Sequence, residues 1–132
     1  LVTNIESENI LIHDAVRPFV TAGVISDCLN SLEKAHVSAP IMDSTNSLIG
    51  LNDKQVSFVD RNCIKAVQTP QCFKRELILE VLNSSVDGTD EMGMLLKYNP
   101  KKKIEFVKGD SSNFKITSPT DLIIASSLLE AK

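Results

Sequence analysis

Ile10-Leu11-Ile12-His13-Asp14-Ala15-Val16-Arg17-Pro18 passes from a short apolar run straight into an acid, a base and a proline. The apolar run reads as a buried strand, so the polar residues behind it stand at the strand's carboxyl end. In open α/β sheets that end is where ligands bind. An aspartate placed there can offer oxygen to a hard divalent cation, and an arginine three residues on can take a phosphate in bidentate fashion. The pair points to metal-assisted phosphate chemistry. The plainer alternative is a strand-to-loop turn closed by a surface ion pair, because a fold feature does not fix a function.

Outward from this stretch, apolar runs alternate with helical patterns, which predicts an α/β layered fold with a largely parallel sheet. The first strand spans about Ile10 to His13. Thr21 caps a helix whose Val24, Ile25, Cys28, Leu29 and Leu32 share one face, ending near His36. A second strand covers Val37 to Met42, with Pro40 tolerable only at an edge or bulge. Leu48 to Leu51 and Gln55 to Val59 flank the turn-like Asn52-Asp53-Lys54 and form a hairpin. Lys65 to Gln68 is a short strand broken by Pro70, and Arg75 to Leu82 a helix with Leu77, Ile78, Val81 and Leu82 facing inward. Thr89 caps a helix reaching about Lys97, with Asp90 and Glu91 in its first turn. Lys103 to Lys108 alternates as a strand with one wet face, and Gly109 turns the chain. Ser118-Pro119-Thr120-Asp121 announces the last helix with an N-cap, a proline at its first position and an acid at its third.

A chain of 132 residues holds one domain of ordinary size, about 100–150 residues. Hydrophobic residues at 42% and charged residues at 23% describe a globular chain. A net charge of −3 argues against a broad nucleic-acid surface, and the one basic run, Lys101-Lys102-Lys103, reads as a solvated turn. Cys28, Cys63 and Cys72 are odd in number and lack CxxC spacing, which favours a reducing, cytoplasmic setting over disulfides or a zinc cluster. No apolar stretch approaches the roughly 18 residues that would cross a bilayer.

Taken together, His13-Asp14-Ala15-Val16-Arg17-Pro18-Phe19, Asp43-Ser44, Asp60-Arg61, Gln68-Thr69-Pro70-Gln71-Cys72-Phe73, Thr89-Asp90-Glu91 and Asn113-Phe114-Lys115-Ile116-Thr117 resemble the 2-C-methyl-D-erythritol 4-phosphate cytidylyltransferase family, in order and in spacing. The resemblance implies a Rossmann-like nucleotidyltransferase (GT-A-like) fold. It also implies transfer of a cytidylyl group from CTP to a polyol phosphate, giving a CDP-alcohol and pyrophosphate in non-mevalonate isoprenoid synthesis. By this likeness Asp14 and Lys115 are catalytic, Asp14 also helping to hold Mg²⁺. Arg17, Ser44, Arg61, Thr69 and Thr89 bind substrate, Arg61 and Thr69 gripping the polyol phosphate. Ser44 replaces a common threonine of the family, and Asn46 stands where a cation is frequent.

Each position has a structural alternative: Thr69 an extended residue before proline, Thr89 a cap, Asn113 and Gly109 turn residues. His13 reads as shaping the strand end rather than as a base, because the attacking phosphate is already anionic. The glycine-rich CTP loop of the family is not in this sequence, and Leu1 stands in place of an initiating methionine. The chain is therefore expected to be the C-terminal part of one nucleotidyltransferase domain, its fold incomplete and its activity absent when alone. A β-arm at about residues 46–60 is expected to form a homodimer. Two other readings stand beside this one: a ribitol-5-phosphate cytidylyltransferase, and a non-catalytic dimerisation or binding module of the same fold.

Overall fold

The computed structural model describes residues 6–131. Its elements follow in the order β1 Asn9–Ile12, α1 Ala22–Ser31, β2 Val37–Asp43, β3 Leu48–Asn52, β4 Gln55–Val59, β5 Lys65–Val67, β6 Gln71–Lys74, α2 Arg75–Asn83, α3 Glu91–Tyr98, β7 Ile104–Lys108 and α4 Pro119–Glu130. A single 3-10 turn at Arg61–Cys63 lies between β4 and β5.

The main sheet is mixed, which corrects the expectation of a largely parallel one. β2 pairs with β7 in parallel but with β5 and β6 antiparallel, and β6 in turn is antiparallel to β1. Strands β1, β2 and β7 therefore share one direction, as the strand and helix alternation requires. What the pattern could not show is β6, which enters between β1 and β2 in the opposite sense. Its four residues directly follow the cis Thr69–Pro70 bond and run straight into α2, so no independent period marks them.

Of the two places expected to tolerate Pro40, an edge or a bulge, the structure uses an irregular break in the ladder. Pro40 is fully buried inside β2 rather than at a sheet edge. It falls between Val37–Ser38, which pair with β6, and the residues from Ile41 to Asp43, which pair with β5. The ladder is interrupted there by the Gln68–Pro70 bend, whose Gln68 N–H donates to the Pro40 carbonyl at 2.8 Å. A proline, lacking a donor, is tolerated at such a break.

Helices cover both faces of the sheet. Ile10, Val37, Ala39 and Phe73 face α2 and α3, packing against Leu77, Ile78, Val81, Met92 and Leu95. The intervening Cys72 faces the other way, against Val24, Cys28 and Leu32 of the α1 side. Ser38 on that second face satisfies its buried hydroxyl by donating to the Cys28 carbonyl at 2.6 Å.

Local chemistry sets most boundaries. Thr21 caps α1 by accepting from Val24 N–H, and Ser118 with Asp121 closes a reciprocal capping box on α4. Helix α1 stops at Ser31, short of His36, because successive bonds from Leu32, Glu33 and Lys34 to carbonyls three residues back tighten the chain into a turn. The cap of α3 is Asp90, which accepts from Gly93 N–H, and not Thr89, which lies exposed one residue earlier. Leu82 faces outward, since Leu77, Ile78 and Val81 already fill the inner stripe of α2. The hairpin of β3 and β4 forms its own two-stranded sheet, joined by Asp53 and Lys54, with Asp53 at φ 49. Ile49, Leu51, Val56 and Phe58 on it are all exposed, Phe58 at 83%.

Candidate functional site

Three segments leave the carboxyl ends of the co-directional strands β1, β2 and β7, carrying Asp14 and Arg17, Ser44, and Lys115 respectively. Thr69 comes from the bend between β5 and β6. Its Oγ1 accepts the Asp14 N–H at 3.0 Å and lies 2.9 Å from His13 Nδ1. Arg17 Nε donates to Asp14 Oδ2 at 3.1 Å, while its Nη1 donates to the Asn113 carbonyl at 2.8 Å. Lys115 Nζ stands 3.4 Å from the same Asp14 oxygen. Asp14, Arg17, Thr69 and Lys115, distant in sequence, thus form one polar cluster.

Two buried amides hold the loops of this cluster together. Gln68 donates through Nε2 to the Asp110 carbonyl at 2.9 Å, and its Oε1 accepts Asp110 N–H at 3.2 Å, so its side chain acts as an extra rung of sheet. Asn113 donates from Nδ2 to the Thr69 carbonyl at 2.8 Å. Gly109 leaves the space these bonds need. A Cβ there would sit 2.6 Å from Gln68 Oε1 and 2.9 Å from the Ile41 carbonyl, so close approach rather than a left-handed turn requires the glycine. Ile116 N–H completes the tie by donating to the Val16 carbonyl at 2.9 Å.

The charges are arranged around one carboxylate. Partial burial disfavours ionised Asp14, but the hydrogen bonds and positive charges of Arg17 and Lys115 outweigh it and hold the carboxyl below the usual carboxylate range. An anion approaching this cluster meets the half-exposed Lys115 ammonium, while the mostly buried Arg17 guanidinium is engaged by Asp14 and the Asn113 carbonyl. Among the described residues no three His, Cys, Asp or Glu side chains converge as a metal cage. One carboxylate beside two cations offers at most a single protein oxygen to a divalent ion.

Ser44 and Arg61 form a second group instead. Arg61 Nη1 donates to the Thr45 carbonyl at 3.1 Å and Ser44 Oγ to the Asn46 carbonyl at 3.2 Å. With Asp43, Asn62 and Lys65 they line a cavity of about 460 Å³, where Lys65 pairs with Asp43. The bonds of this group do not reach Asp14, Thr69 or Lys115, because Ser44 and Arg61 stand at the two ends of the hairpin excursion. Thr89 belongs to neither group. Its neighbour Asp90 is tied to the bend through Gln71, whose Nε2 donates to Asp90 Oδ2 at 2.8 Å and whose Oε1 accepts Met92 N–H at 2.8 Å. A larger cavity of about 750 Å³, lined by Glu8, His36, Lys74 and Arg75 among others, lies at the Lys74 end of β6, away from Thr69. It contains none of the predicted groups.

The sequence places Gln68 and Asn113 inside family-like motifs but assigns neither an individual role at the site beyond a turn for Asn113. Their partners are 42 and 44 positions away in the chain, so no local period betrays them. The one available signal was chemical: two amides bracketing the motifs that carry Thr69 and Lys115.

Residues 2–131 match the family model described as 2-C-methyl-D-erythritol 4-phosphate cytidylyltransferase. The chain is 37% identical over 132 residues to the Bacillus thuringiensis protein of that name, covering 95% of this chain and 57% of the relative. It is 28% identical over 134 residues to the bifunctional ribulose 5-phosphate reductase/CDP-ribitol pyrophosphorylase Bcs1 of Haemophilus influenzae, covering 96% of this chain and 28% of that one. Among solved structures, the 4-diphosphocytidyl-2C-methyl-D-erythritol synthase of Anaerococcus prevotii superposes with a TM-score of 0.88 at 29% identity, covering 98% of this chain and 60% of that one. The chain thus spans little more than half the length of the curated cytidylyltransferases it matches.

Proposed function

The chain belongs to the 2-C-methyl-D-erythritol 4-phosphate cytidylyltransferase family, and from that premise we propose that the whole protein transfers a cytidylyl group from CTP to 2-C-methyl-D-erythritol 4-phosphate. A phosphate oxygen of the polyol phosphate attacks the α-phosphorus of CTP. The bond from that phosphorus to the bridging oxygen breaks, and pyrophosphate leaves with the electron pair. The attacking oxygen is already anionic, so the work of the protein is alignment and neutralisation of charge. The observation that carries the reading is the convergence of Asp14, Arg17 and Lys115, from the carboxyl ends of the co-directional strands β1 and β7, with Thr69 of the β5–β6 bend.

In this reading Lys115 offers its ammonium to the reacting phosphates, and Arg17 braces the loop that carries it through the Asn113 carbonyl. Asp14 holds both cations in place and offers the protein's oxygen to Mg²⁺. When bound, that ion supplies further neutralisation of phosphate charge. Arg61, with Ser44 and Lys65 beside it, lies apart from the Lys115 cluster within one chain; carried on the hairpin of a second copy, it would meet the same polyol phosphate, whereas Thr89 keeps its substrate role by likeness to the family alone. Replacing Arg61 by alanine is expected to lower kcat/KM at least about tenfold, chiefly through a raised KM for the polyol phosphate. An unchanged KM would remove Arg61 from the site.

The exposed apolar side chains of the β3–β4 hairpin favour packing against a second copy of the chain, because a two-stranded hairpin is marginal alone in water. Phe58→Glu is expected to convert a dimer of the intact protein into monomers in sedimentation equilibrium. A monomeric parent protein would overturn the dimer. Three free cysteines suit a reducing cytoplasm, and no described helix is long and apolar enough to cross a membrane.

The substrate is tested by release of pyrophosphate from CTP and Mg²⁺ with each polyol phosphate in turn. Turnover with 2-C-methyl-D-erythritol 4-phosphate is the expected result, and turnover with ribitol 5-phosphate alone would assign the rival substrate. The likeness to Bcs1 keeps that second reading in view, at lower identity than the likeness to the Bacillus relative.

A further inference from the structure

Resting on the cytidylyltransferase reading, we propose that His13 is a positioning residue: it holds the Thr69 hydroxyl, and through it the Asp14 backbone, in the geometry that the transfer uses. The argument follows from which atoms can donate. His13 Nε2 lies 3.0 Å from the Arg17 carbonyl oxygen, which can only accept, so Nε2 carries the hydrogen. In the neutral ring, the form that the test below addresses, the other nitrogen is then bare. His13 Nδ1, 2.9 Å from Thr69 Oγ1, therefore accepts the threonine's single hydroxyl hydrogen. Thr69 Oγ1 in turn accepts the Asp14 N–H at 3.0 Å.

The result is a directed run in which every donor has an acceptor, from Asp14 N–H to Thr69, from Thr69 to His13, and from His13 to the Arg17 carbonyl. Both ends of the run lie on the same short turn, itself closed by Arg17 N–H donating to the Asp14 carbonyl at 3.0 Å. That turn carries the carboxylate and the guanidinium of the cluster. Thr69 comes from the bend beside β6, so the imidazole is the clip that orients a hydroxyl of one loop against the backbone of another. Without it the hydroxyl is free to rotate, and the Asp14 turn loses an anchor.

His13 is itself exposed. Truncating it removes little packing, so its effect should appear in the reaction rather than in folding, which separates a positioning role from a merely structural one. Asparagine at position 13 can place an acceptor oxygen near the Nδ1 position and should restore most of what alanine loses.

The test has two arms. Ring-nitrogen NMR of the intact protein at mildly alkaline pH should find His13 in the Nε2–H tautomer, and an Nδ1–H tautomer would overturn the proposal. In the intact protein, His13→Ala should lower kcat about tenfold with KM changed less than about twofold, His13→Asn should recover to within about threefold, and thermal unfolding should be nearly unmoved. In a Thr69→Val background His13→Ala should cost less than about a further twofold, because the residue acts through Thr69. Independent, multiplying losses, or no rescue by asparagine, would overturn the proposal. The tautomer arm needs no turnover, so an inactive parent protein would count against the cytidylyltransferase reading alone.

Discussion

Asp14→Asn lowers turnover of the intact protein at least about tenfold while leaving it folded, as does Lys115→Ala. The asparagine keeps an oxygen that can accept from Arg17 Nε, and its backbone N–H still reaches Thr69. What it removes is the negative charge that orients the Arg17 guanidinium, at 3.1 Å, and the Lys115 ammonium, at 3.4 Å. Two cations then face each other without a counter-charge between them, and the lysine is released from the position where an incoming phosphate would meet it. Lys115→Ala acts more simply, deleting a charge where negative charge accumulates. Steady-state pyrophosphate release with circular dichroism as the folding control measures both. Near-normal rates in the two variants would sink the assignment of this cluster to the reaction.

Phe73→Ala lowers the folding stability of the chain by about 3–5 kcal/mol, the cost typical of emptying a phenylalanine site in a packed core. Phe73 is fully buried and is the largest of the completely buried side chains. It stands opposite Ile10 of β1 in one ladder and Val37 of β2 in the other, and packs against Leu77, Ile78, Val81, Met92 and Leu95 across to α2 and α3. Removing it loosens both strands that flank β6 as well as the helices above them. Against a total stability of about 5–15 kcal/mol the loss is a large fraction. The shift of the urea midpoint at unchanged slope measures it, and a loss under about 1 kcal/mol would mean that β6 is not a central strand. Because β6 begins two residues after Thr69, the same variant should also disturb the bend that meets Asp14.

Much of the fold was legible in the sequence because its signals are local. The branched apolar run before His13 marks β1, the three-and-four spacing of Val24 and Cys28 marks α1, and Ser118-Pro119-Thr120-Asp121 marks the start of α4. The catalytic vocabulary was legible too, as an acid and a base placed at a strand end. β6 was not, since Gln71, Cys72, Phe73 and Lys74 neither alternate cleanly nor stand apart from the helix that follows. Pro40 left edge and bulge open for a related reason: proline argues for an edge only where both neighbouring ladders are continuous, and here one of them breaks opposite it.

The sequence by itself determined that β1, β2 and β7 are strands, where helices lie between them, and the kinds of group presented behind those strands, because each depends on residues within a few positions of one another. The tertiary structure alone decided which of those groups meet. It joined Asp14 with Thr69 and Lys115 and set Ser44 with Arg61 in a cavity of their own. It also gave Gln68 and Asn113 their place as the buried ties between loops. Hydrogen bonds and ion pairs are satisfied by proximity in space, and proximity between residues tens of positions apart is set by how the antiparallel β6 wedges into the sheet, which no periodicity in the chain encodes.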